Sequence, residues 1–75
     1  MDHIEHQENL LAQIGQTTQA RLLELTEEEI GQYSHLRACE ISGMIELLKL
    51  LPEYQGMIGP LRKHRHWLMD KSEGR

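Results

Sequence analysis

The sequence predicts an all-α chain, either a helical hairpin or a three-helix unit, probed best by what it lacks. Its 75 residues include 12 Leu, 6 Ile and 4 Met but no Val and no Phe, so the residues that favour strands are scarce. The apolar residues recur at helical spacing. The length suits one domain, 1–75, and is too short for two independent cores.

The first predicted helix covers 3–24. Ile4, Leu10, Leu11, Ile14, Leu22 and Leu25 follow helical spacing, with Gln7, Gln13, Gln16 and Gln19 between them. Its middle is weak. Gly15, Thr17 and Thr18 lower helix propensity, so the expectation there is a kink or a late start.

Thr26-Glu27-Glu28-Glu29 reads as a capping box, in which the threonine oxygen accepts a helix N–H and Glu29 reaches back to the Thr26 N–H. Three acids also suit the positive end of a helix dipole. The same residues fit a continuous helix, with Leu25 and Ile30 carrying the apolar pattern across. A second helix is predicted over 27–51, where Pro52 disfavours helical geometry at the residue before it.

From Ile41 to Leu51 the apolar residues cover more of the helix than one core-facing stripe requires. In so short a chain this excess predicts self-association, most simply a two-fold homodimer within a helical bundle, or a docked protein partner. The expected contacts are Ile41, Met44, Ile45, Leu48 and Leu51, with Tyr54 and Trp67 as anchors. Met44 and Met57 would supply adaptable packing.

Two glycines and two prolines within 52–60 predict a turn or a single helical turn, and Pro60 is a favoured first residue for a third helix over 60–71. In that helix Leu61, His64, Trp67 and Leu68 share one face, leaving Arg62, Lys63, Arg65 and His66 on the other. Residues 72–75 read as a frayed end.

Charge is uneven. Residues 1–30 sum to −6, residues 31–51 to 0 and residues 52–75 to +2, within a net charge of −4. Protonating all five histidines would bring the total to +1. The cations Arg62, Lys63 and Arg65 beside Trp67 are candidate phosphate contacts, which makes a dimeric nucleic-acid-binding regulator the alternative reading. A net-negative chain lacks the basic field such proteins usually carry.

No enzyme is expected, and no cofactor or metal. Nucleotide, zinc-hydrolase and calcium-binding motifs are absent. His35 and Cys39 are one helical turn apart, yet the residues around them offer no oxyanion hole or cleft. Met1-Asp2-His3 can hold Cu(II) or Ni(II) through a free amine, and His6 lies one turn from His3, without a second shell near either. One cysteine makes no internal disulfide, and no apolar run reaches bilayer length, so a cytoplasmic setting without membrane contact is expected.

Arg37, Ile41 and Ile45 form an R-x-x-x-I-x-x-x-I stretch that resembles small helical export chaperones of the flagellar type. The resemblance covers only the middle of the chain and fits many phage or plasmid regulators equally. It assigns no residue. The expected function is a non-enzymatic adaptor, chaperone or regulator that masks a partner's surface through its apolar helix.

Overall fold

The computed structural model describes residues 3–74. Three helices follow one another, α1 (His3–Leu22), α2 (Glu27–Leu48) and α3 (Gln55–Ser72), with a 3₁₀ turn at Pro52–Tyr54 leading into α3. No strand occurs among the described residues, and the fold is an all-α three-helix unit.

α1 runs unbroken through its weak middle. Thr17 Oγ1 donates to Gln13 O at 2.9 Å and Thr18 Oγ1 donates to Ile14 O at 3.1 Å, so these hydroxyls bond inside the helix instead of competing with it. The chain then turns through residues 23–26. Glu29 N donates to Thr26 Oγ1 at 3.3 Å and Thr26 N donates to Glu29 Oε1 at 2.9 Å, a reciprocal cap that starts α2 afresh. Hydrogen bonding to the carboxyl by the Thr26 backbone N–H, and then by the Thr26 side chain, holds the Glu29 pKa below its ordinary value.

α2 stops at Leu48, three residues before the predicted end. Leu50 N and Leu51 N bond three residues back, to Leu47 O and Leu48 O, which tightens the last turn. Leu51 is extended ahead of Pro52, at φ −116° and ψ 98°. Gln55 Nε2 lies 3.2–3.4 Å from the carbonyls of Leu48, Lys49 and Leu51 and so serves orphan acceptors at this helix end.

α3 starts at Gln55, five residues before the predicted start, with Pro60 inside it. Proline costs a helix interior one hydrogen bond. Burial offsets that loss, because the added residues include Met57 and Ile58, both in the core. Gly56 allows a close approach of α1, since a Cβ there would meet Gln7 Oε1 at 3.1 Å and Gln7 would have to shift by a few tenths of an ångström; the Gln7 side chain donates to Glu53 O.

The core lies between α2 and α3. Ser34, Ala38, Ile41 and Ile45 recur along one face of α2, and Met57, Ile58, Leu61 and Leu68 along α3, all of them buried. Leu10, Leu11 and Ile14 of α1 pack on this layer only partly buried. α1 approaches α3 more closely than it does α2. The result is elongated, 41 × 21 × 16 Å, with a radius of gyration of 13.1 Å against about 11 Å for a compact chain of this length.

Candidate functional site

The loose seat of α1 leaves a cleft of about 210 Å³ between the helices. Leu10 and Ile14 line it from α1, Met44, Leu47 and Leu48 from the end of α2, and Met57 and Leu61 from α3. All seven are apolar. Leu47 is 67% exposed at the lip, and Leu50 and Leu51 continue the apolar surface along the chain, 77% and 42% exposed. Leaving such residues in water costs free energy that contact with another apolar surface would recover.

The residues predicted as contacts divide between core and surface. Ile41 and Ile45 are closed off inside the chain, because the early start of α3 brings Met57 and Ile58 into the core with them. Met44 and Leu48 are half-buried walls of the cleft. Tyr54 is half-buried, its ring edge-on to His6 with centroids 6.5 Å apart. Trp67 is exposed and lies away from the cleft lining, stacked on His64 at 5.8 Å with Lys71 Nζ 4.8 Å from its ring.

A second constellation was not legible as one in the sequence. Arg37, only 7% exposed, donates from Nε to Thr18 Oγ1 at 3.1 Å and from Nη2 to Ile14 O at 3.2 Å. Its Nη1 donates to Glu40 Oε1 at 3.3 Å, an ion pair whose carboxylate is largely in solvent. Thr18 Oγ1 also lies 3.0 Å from His64 Nε2. One buried hydroxyl therefore joins all three helices. Burial, and then the positive charge of Arg37, push the His64 pKa below its ordinary 6.5. The available signal was Arg37 at helical spacing from Ile41 and Ile45, a charged residue on the apolar face of its helix, which needs a polar partner if it is buried.

The basic cluster of α3 does not converge. Arg62 and Lys63 are exposed, whereas half-buried Arg65 turns to α2 and donates to Ser42 Oγ at 3.4 Å. His66 lies 3.7 Å from Asp70. His35 and Cys39 are both exposed. Among the described residues no group of three or more His, Cys, Asp or Glu could hold a metal ion, and no helix is long and apolar enough to cross a membrane. Met1, Asp2 and the His3 side chain lie outside the described residues.

No family model, curated protein or solved structure matches the chain.

Proposed function

We propose that the protein is a non-enzymatic interaction module, an adaptor, chaperone or regulator whose cleft receives one amphipathic helix of a partner protein. The observation that carries this reading is the lining, seven apolar side chains drawn from three helices with leucines standing exposed at the lip. Helix-in-groove recognition uses such a surface, where apolar anchors one turn apart enter a hydrophobic trough. Met44 and Met57 let the walls adapt to the entering side chains. A small-molecule or catalytic site would instead need polar groups placed to orient its ligand. The single exposed thiol of Cys39 supports a reducing, cytoplasmic setting.

Affinity capture from the native cell lysate tests this reading, with nuclease present and at low and high salt, comparing the natural chain with Leu47→Asp. A protein retained at high salt by the natural chain and lost with Leu47→Asp supports the cleft. Partners lost to nuclease or salt alone would favour nucleic-acid binding through Arg62 and Lys63.

Self-association is favoured by a separate observation. Leu36, Cys39, Gly43 and Leu47 follow one another along the outer face of α2, exposed Leu50 lies in the turn just beyond its end, and the spacing of the five is symmetric about Gly43. Such spacing suits a two-fold antiparallel pairing of two copies about Gly43, in which each apolar residue meets an apolar residue of the other copy. A Cβ at Gly43 would meet nothing within 4 Å, so the centre of the stripe is open to a second helix. Sedimentation of the natural chain and of Leu50→Asp measures it. A dimer that becomes a monomer on substitution supports the pairing, and a monomer throughout removes it.

A further inference from the structure

The polar node and the apolar cleft meet at one residue. Ile14 lines the cleft with its side chain, while its carbonyl accepts from Thr18 Oγ1 at 3.1 Å and from Arg37 Nη2 at 3.2 Å. Whatever shifts Thr18 therefore shifts a wall of the cleft.

The groups around His64 favour its neutral form. α1 presents the uncharged Thr18 hydroxyl, and α2 presents the Arg37 guanidinium with Glu40 on its Nη1. On its own helix the ring stacks on Trp67, beside which Lys71 lies, and Lys63 and Arg65 are its sequence neighbours. The charge that acts on the ring is that of Arg37, which disfavours its protonated form.

We infer that His64 is a proton-operated latch: proton uptake from solvent puts a second cation beside Arg37 at the Thr18 hydroxyl, loosens α1 from the α2/α3 hairpin and reshapes the cleft. Burial and the Arg37 charge keep the ring neutral at neutral pH, so the latch is closed there. Because α1 is only partly buried on its neighbours, it is the element with least to lose by moving. The use of the cleft rests on the docking reading above, whereas the latch itself does not.

The test is an NMR titration of the full chain from pH 8 to 5, following the His64 imidazole and the backbone amides, with the apolar dye ANS added to parallel samples. The expected result is a His64 midpoint below 6.5, with the amides of residues 13–19 shifting at that same midpoint and a matching rise in ANS emission. His64→Gln, which keeps a donor and an acceptor but takes up no proton in this range, should lose the amide shift. A His64 midpoint at or above 6.5 would overturn the latch, and so would an α1 shift that survives in His64→Gln. The midpoint is read on the natural chain, so it stands even if the variant folds poorly. A titrating latch with unchanged ANS emission would sink only the link to the cleft and leave the docking reading to the capture experiment.

Discussion

The α2/α3 hairpin and the seat of α1 are held by different physics. The hairpin closes on wholly buried aliphatic side chains, Ile41, Leu61 and Leu68 among them. α1 rests on half-buried Leu10, Leu11 and Ile14 and is fastened by a few hydrogen bonds, chief among them those at the buried Thr18 hydroxyl and from Arg37 to the Ile14 carbonyl. Apolar burial is non-directional and tolerates small displacements, whereas a hydrogen-bonded node works at one geometry and depends on protonation. One part of the molecule is therefore built to persist and the other to respond.

The largest effect should come from breaking the hairpin. Ile41→Ala removes a fully buried side chain and is expected to cost about 2–5 kcal/mol in denaturant unfolding. Ile14→Ala should cost clearly less, because Ile14 is only half-buried at the cleft. Equal costs for the two would abolish the distinction between the regions.

Next comes the node. Thr18→Val keeps the shape but removes the hydroxyl, leaving Arg37 Nε and His64 Nε2 without that partner, at a cost of about 1–3 kcal/mol. Thr18→Ser should recover most of it. If Ser rescues no better than Val, the hydroxyl does not hold α1.

Acid should weaken the fold through the same site. The folded-state pKa of His64 lies below the unfolded value, so the unfolded chain binds the proton first. Stability from neutral His64 is fully present above pH 6.5 and falls as pH drops from there to the lowered folded-state pKa. Melts at stepped pH should show a loss that His64→Gln removes, since glutamine takes up no proton in this range. An equal loss in both would assign the acid sensitivity to other groups.

Ser34→Ala probes the hairpin from the opposite side. Ser34 Oγ is buried with no hydrogen-bond partner, so its removal should raise stability by about 1 kcal/mol. A decrease on thermal melting would mean that the hydroxyl is satisfied in solution.

The hairpin's residues were largely legible in the sequence, and the node was not. Helical spacing picked out Ile41, Ile45, Leu61 and Leu68, because apolar periodicity reports directly which face is buried. It also put Ile41 and Ile45 among the partner contacts, since nothing local says whether an apolar face meets another copy or another part of the same chain. The start of α3 was misplaced for a related reason. Pro60 is a local start signal, and the tertiary burial of Met57 and Ile58 overrides it. Thr18 read as a helix weakness and His64 as part of an apolar face, while Arg37 counted only in a motif. Their roles arise from a meeting between residues 19 and 46 positions apart, which no periodicity records.

Leu47→Asp should change stability least, and it separates the cleft from both regions that hold the fold. With Leu47 67% exposed, its substitution is expected to alter unfolding free energy by no more than about 0.5 kcal/mol. Its effect on association should be large, because an aspartate at the lip puts a charge where an apolar partner surface must be desolvated. A variant that stays folded and loses its protein partner locates function on surface the fold itself does not need. A variant that unfolds would instead make Leu47 part of the packing between α1 and α2, and the exposed leucines would then belong to the way α1 is held.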